Sequence, residues 1–298
     1  MTAQITHPGL SREEASSRAN ISQRLVLFVG FFMYGFAILI LGSNYFDIFP
    51  TNHNMTYNLA VSAVFLVVAV GLNRSDRWNG YWQVAFAFFV ASVAYPVTNL
   101  SSGWASQVLK WLNLMDTSSQ GQAIVKVCEV VSVVIPILLL TKVSGADLGS
   151  VYVKRGNLRW GLSIGALVFF NFAASAFLFF ATRFTSVGTL GAAVLWGLVF
   201  SFANAFMEEL WIRGIFLRRF EPLIGIKGSI LLTSILFALL HGGATYLTPV
   251  AIPFIVANTF TLGLACSYLI MKTDSIWGAV LIHAASDLFL FIALLANA

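Results

Sequence analysis

Two adjacent carboxylates, Glu208 and Glu209, and an arginine, Arg213, sit within FMEELWIRGIF (206–216), a stretch that is otherwise apolar. Two later apolar stretches carry histidines. FALLHGG holds His241, and LIHAASD holds His283 and Asp287. The other two histidines, His7 and His53, lie in polar segments. An ionisable group at mid-bilayer costs a few kcal/mol or more, so such groups face the protein interior and tend to mark function. Glu209 and Arg213 are spaced i, i+4, share a helix face and can pair, which suits a structural role. Glu208 points about 100° away around the helix, on a stripe with Asn204 and Ile212, and has no partner there. His283 and Asp287 are again spaced i, i+4. A carboxylate alone in lipid must protonate or find a partner, so a structural role explains Glu208 least well. A buried carboxylate among imidazoles can act as a general base, bind a metal, or relay protons. Lys126 and Glu129 form another spaced pair, and Lys126 can snorkel, so this pair reads as structural.

The elements that position these groups follow from composition. The chain has 298 residues, 58% hydrophobic and 10% charged, with mean hydropathy +0.84. Soluble domains are about a quarter charged. The pattern predicts an all-α, polytopic membrane helix bundle with about nine transmembrane helices. Strands would show short alternating segments instead. Apolar runs fall near 25–42, 57–72, 80–97, 122–141, 160–181, 188–214, 228–246, 251–271 and 276–296. Trp104 to Leu114 reads as a short interfacial helix between the third and fourth spans. Lys and Arg alternate between rich and poor connections. By the positive-inside rule this puts the N-terminus in the cytoplasm and the C-terminus outside. The membrane is the plasma membrane if the source is prokaryotic. The net charge of +5 fits this loop pattern, and no basic cluster suggests nucleic acid. Cys128 and Cys266 lie in apolar segments with no CxxC, which argues against a disulfide framework or thiolate metal site. The regions expected are a cytoplasmic tail at 1–24, a four-helix front at 25–142, a polar linker and fifth helix at 143–187, and a core at 188–298.

Depth ties the motifs together. Glu208 lies ten residues before Arg218, His241 fourteen after Lys227, and His283 eleven after Lys272. At 1.5 Å per residue these positions are about 15, 21 and 16 Å from the basic edge of the membrane. Asn258, fourteen residues before Lys272, falls at about 21 Å and is a candidate for lining the same cavity.

The ordered set EExxxR (Glu208, Glu209, Arg213), FxxxH (Phe237, His241) and HxxxD (His283, Asp287) resembles the CPBP family of intramembrane proteases. That family is also called the CAAX prenyl protease 2 or Abi family. MKTDSIWGAVLIHAASD is similar to its last motif region, and the resemblance covers about residues 188–293. Its last motif often ends in Asn where this chain has Asp287. The resemblance implies peptide-bond hydrolysis in the membrane, on a membrane-embedded or lipid-anchored protein or peptide. Eukaryotic relatives remove the last three residues of prenylated CAAX proteins. By motif position, Glu208 is the base that activates water, with His241 beside it. His283 and Asp287 stabilise the oxyanion or bind metal, Glu209 and Arg213 hold the arrangement, and Asn204 and Phe237 line the cavity.

Amide hydrolysis needs an activated water and a donor for the oxyanion. Two routes fit. In one, Glu208, His241, His283 and Asp287 hold a divalent metal such as zinc, which lowers the pKa of bound water. In the other, without metal, Glu208 and His241 activate water directly and His283 polarises the carbonyl. There is no HExxH, and the ligands are spread over three helices. The rival readings are a non-catalytic scaffold or chaperone of the same fold and a proton-coupled transporter. The transporter is disfavoured by the absence of an internal repeat.

Overall fold

The computed structural model describes residues 21–43, 46, 48, 51–243 and 250–296. His7 and most of the expected N-terminal tail lie outside the described residues. Among those residues there is no strand, and nine helices are long and apolar enough to cross a membrane. They are α1 (Ile21–Phe36, extended by a π turn, Ala37–Leu41), α2 (Thr51–Asn73), α3 (Trp82–Leu112) and α4 (Ser119–Val143). Then follow α5 (Leu158–Phe180), α6 (Val187–Glu208, extended by a second π turn, Glu209–Gly214), α7 (Leu217–His241), α8 (Ile252–Thr273) and α9 (Trp277–Leu295). The protein is an integral, multi-pass membrane helix bundle, as composition predicts.

Local chemistry sets several boundaries. Ser186 and Thr189 form a capping box at the start of α6, each side chain accepting from the other's backbone N–H at 3.1 Å. Two free N–H groups of the first turn are thereby satisfied. Ser118 caps α4 and Asn157 caps α5 in the same manner. Large apolar side chains such as Phe170, Leu178 and Phe254 point outward, as a lipid-facing surface requires.

Two elements differ from the sequence reading. The expected interfacial helix at 104–114 is the continuation of α3, which runs unbroken through Pro96 to Leu112. The seventh span begins at Leu217 instead of 228 and ends at His241. Gly225 interrupts it with φ 76°, a left-handed conformation open to glycine without a Cβ penalty. The chain thus kinks between a short first helix and the longer apolar one, which hydropathy averaging merges into a polar gap.

α9 is the central element, packing on α5, α6 and α8. Its crossing with α5 is a glycine contact. A Cβ on Gly278 would meet the Gly161 backbone at 2.6–2.8 Å, and one on Gly165 would meet Leu281 at 2.7 Å. Small residues let two backbones approach this closely in a membrane, where tight packing drives association. The linker 143–160 is also not a loose tether. Ile276 N donates to Tyr152 O at 3.1 Å, Asn157 N to Thr273 O at 2.6 Å, and Ser275 Oγ to Lys154 O at 2.9 Å. Asp274, at the turn, pairs with both Lys154 and Arg218. The linker therefore holds the α8–α9 turn from which the His283 helix starts.

The front helices brace the back ones through aromatic rings. Phe31 of α1 stacks on Phe220 of α7 at 4.9 Å, and Phe88 of α3 packs on Phe216 and Phe220 at 5.2 and 5.7 Å. Trp211, within the π turn, donates Nε1–H to Ala91 O at 3.0 Å, and its ring meets Tyr95 edge-on at 5.1 Å.

Candidate active site

Glu208 ends α6, and Glu209 begins the π turn, where Ile215 N reaches back five residues to Leu210 O. Such turns widen a helix by one residue and recur at functional sites. This one sends the two adjacent carboxylates to two different layers of one cluster.

The inner layer is fully buried. Arg213 Nη1 donates to Glu209 Oε1 at 2.8 Å, the pair expected from the spacing. The guanidinium lies over the Phe237 ring, 3.9 Å from its centre, and a Cβ on Gly263 would meet Nη2 at 3.0 Å. The ring face offers the cation an attractive surface. Gly263 leaves room for it. His283 Nδ1–H donates to the same Glu209 Oε1 at 2.8 Å. The sequence reading gives Glu209 one partner; the structure gives it two. The second partner cannot be read from spacing, because it comes from a helix 74 positions away.

The outer layer is partly accessible and holds Glu208, His241 and Asp287, with side-chain exposures of 14%, 21% and 16%. Glu208 Oε2 lies 3.7 Å from His241 Nε2 and 3.6 Å from His283 Nε2. His241 Nδ1 is 2.9 Å from Phe237 O, a carbonyl that can only accept, so Nδ1 carries the proton. By the same logic His283 carries its proton on Nδ1 toward Glu209. Both Nε2 atoms therefore face Glu208. Asp287 Oδ1 is 3.6 Å from His283 Nε2, and its Oδ2 accepts from Asn204 Nδ2 at 3.0 Å. Glu208 Oε2 and His283 Nε2 are buried atoms with no hydrogen-bond partner.

The structure thus brings Glu208, His241, His283, Asp287, Glu209, Arg213, Asn204 and Phe237 into one cluster. Phe237 does more than line it, since its ring also meets His241 at 4.3 Å and His283 at 5.4 Å. Asn258 stands apart, exposed, with its amide donating to Phe254 O of its own helix at 2.8 Å. Trp211 and Gly263 are supporting positions that the sequence reading did not single out. Both are apolar residues in an apolar stretch and carry no signal of their own.

Residues 190–289 match the family described as type II CAAX prenyl endopeptidase, Rce1-like. Over that segment the chain is similar to the CPBP/CAAX protease family. The match spans about a third of the chain, from α6 into α9, and so contains every polar residue of the cluster. Helices α1 to α5 lie outside the Rce1-like segment. No curated protein and no solved structure matches the chain.

The donors of this cluster are of a type zinc accepts. Among the described residues no preformed group of three His, Cys, Asp or Glu donors is found, while the facing donor atoms of Glu208, His241, His283 and Asp287 stand 3.6–3.7 Å apart and are the ones that would hold a metal.

Proposed function

We propose that the chain is an intramembrane endopeptidase that hydrolyses a peptide bond of a membrane-associated protein or peptide, with Glu208 activating water. The observation that carries this is the buried Glu208 Oε2, which has no hydrogen bond and faces two imidazole nitrogens at 3.6 and 3.7 Å. These gaps are too long for a direct bond and suit a bridging water. In this reading Glu208 takes a proton from that water, and the oxygen attacks the scissile carbonyl carbon. His241, its Nδ1–H fixed on Phe237 O, orients the water through Nε2. His283 donates from Nε2 to the developing oxyanion. To do so it carries both ring protons, with carboxylates of Glu209, Glu208 and Asp287 around it as counter-charges. The C–N bond then breaks, and the proton held by Glu208 passes to the leaving amine. In such catalysis, preorganised donors aimed at an oxyanion typically lower the barrier more than any other single effect.

The test is terminal-labelling proteomics on native cells carrying wild type or Glu208→Gln. Protein ends found only with wild type are expected, and they name the substrate. His241→Ala and His283→Ala should lose the same ends while still inserting. Equal ends in all strains at equal protein abundance would overturn proteolysis in favour of a scaffold. Cleavage by purified protein should survive a strong chelator. Loss on chelation with recovery on adding zinc would overturn the metal-free route alone.

A further inference from the structure

Ser201 of α6 is fully buried, and its hydroxyl bonds to no protein group. Ser132, Ser175, Ser229 and Thr233, by contrast, each donate to the carbonyl four residues back, the ordinary solution for a hydroxyl within a helix. Ser201 stands at i, i+3 to Asn204 and i, i+7 to Glu208, so the three share one face of α6. Asn204 Nδ2 is committed to Asp287 Oδ2 at 3.0 Å, which fixes the amide's orientation and leaves its Oδ1 buried without a partner. Glu208 Oε2 is the third such atom of the row, and His283 Nε2 faces it from α9 as a fourth. The row is closed at one end. One turn beyond Ser201, Leu288 and Phe291 pack on Gly197 so closely that a Cβ there would meet their side chains at 2.9 and 3.0 Å. At the other end it opens into the partly accessible layer of Glu208, His241 and Asp287.

A buried hydroxyl or amide oxygen left unpaired is costly, and buried water is the usual means of pairing it. Same-face neighbours on a helix stand about 5–6 Å apart, the span of two hydrogen bonds through one water. We infer that Ser201 and Asn204 hold a reserve water behind Glu208, and that Ser201 is thereby a positioning residue for hydrolysis. This rests on the proteolysis reading. Ser201 O–H donates to the reserve water, and the water donates to Asn204 Oδ1. Each cleavage consumes one water: its OH goes to the acyl carbon, and its proton passes through Glu208 to the leaving amine. A substrate lying in the site covers the open end of the row, and packing at Gly197 closes the other. The replacement must therefore already be inside. The reserve water moves one place toward Glu208 as the attacking water is used, and the row refills when product leaves.

The experiment uses the full chain in lipid nanodiscs. Ser201→Thr and Ser201→Val share a shape and differ in the hydroxyl, so their packing cost is common to both. Kinetics are read on one N-palmitoylated peptide, drawn from a random-sequence pool because wild type cleaves it and Glu208→Gln does not. The threonine variant should keep most of the wild-type kcat. The valine variant should lose about three- to tenfold in kcat relative to it, the scale of one hydrogen bond, with KM unchanged. Equal kcat for the two, or a loss carried by KM, overturns the positioning role and leaves proteolysis standing. The water is read separately by hydroxyl-radical footprinting in isotope-labelled water, which marks side chains beside ordered water. Phe291, buried against Gly197 and Phe200, should label above Phe220, which is buried among aromatic rings. Ser201→Ala should lower Phe291 to the Phe220 level. Wild-type labelling of Phe291 no higher than Phe220 overturns the reserve water, whether or not the variants fold. If no peptide in the pool shows Glu208-dependent cleavage, proteolysis falls and the supply role with it, even where Phe291 labels.

Discussion

Glu209 is the residue whose role the structure changes most, and a double-variant cycle can separate its two partners. Glu209 and Arg213 are both fully buried and share one hydrogen bond at 2.8 Å. Removing one member leaves the other as an uncompensated charge, which costs about 3–5 kcal/mol. At about 1.4 kcal/mol per tenfold, that is two to nearly four powers of ten in the folded ratio. It is also a large share of a typical stability of about 5–15 kcal/mol. Glu209→Gln and Arg213→Met should each show this loss. Replacing a whole buried pair with uncharged groups is often neutral, so the double variant should recover to within about 1–2 kcal/mol of wild type. The coupling between the two sites is then about 4 kcal/mol or more, above the roughly 0.5–3 kcal/mol that contacting residues usually show. Activity should not recover. His283 Nδ1 in the double variant faces an amide instead of a carboxylate, and its 2.8 Å charge-assisted bond is gone. Thermal unfolding in detergent reads the first effect, and cleavage by folded protein reads the second. A double variant that regains both stability and cleavage would refute the second role and reduce Glu209 to a structural ion. Single variants as stable as wild type would refute the magnitude.

Four other outcomes are expected. Gly278→Ala places a Cβ 2.6 Å from the Gly161 backbone and should destabilise by about 1–3 kcal/mol while displacing the His283 helix. Gly191→Ala on α6, where nothing lies within 4 Å, should instead be neutral or stabilising by about 0.5–1 kcal/mol in the same melting assay. Trp211→Phe removes the Nε1–H donated to Ala91 O and should cost about 1 kcal/mol, with a fall in cleavage as the π turn loosens. Tyr152, in the linker, is buried, and that burial pushes its phenol up to about 12 from an ordinary 10.0. A raised phenol favours the protonated folded state. Its stabilisation should be intact below pH 10 and lost as pH rises through about 12, and Tyr152→Phe should remove this step from a melting-versus-pH curve.

The nine spans were legible because lipid imposes one rule on every segment, and the rule is written in hydropathy. The exceptions fail for identifiable reasons. The start of α7 carries Arg218, Arg219 and Glu221 and then kinks at Gly225, so averaging across it hides the helical stretch that begins at Leu217. The Trp104–Leu114 segment is polar enough to look separate, yet nothing in it breaks the helix begun at Trp82. In the site, the Glu209–Arg213 pair was readable because a helix repeats at i, i+4. The His283 bond to Glu209 and the Asn204 bond to Asp287 join residues 74 and 83 positions apart, and no local period encodes them. Depth counting came close, since it placed Glu208 and His283 at one level. It also placed Asn258 at the level of His241, and there it fails because depth says nothing about azimuth. Asn258 is exposed, and its amide bonds only to Phe254 O of its own helix.

The same limit explains why the front helices looked idle. Their contribution is made by groups that sequence cannot mark as special: a backbone carbonyl at Ala91, a ring at Phe88, a ring at Phe31. Each meets the π turn or the start of α7, between Glu208 and the part of that helix that carries His241. A π turn has poorer hydrogen-bond economy than an α-helix and persists only where its surroundings hold it. Trp211 ties this one to α3 by a hydrogen bond and an aromatic edge contact at once. The front part is therefore best understood as the clamp that keeps Glu208 and Glu209 in separate layers. That separation leaves Glu208 Oε2 without a hydrogen bond while its neighbour, one residue on, is doubly bonded.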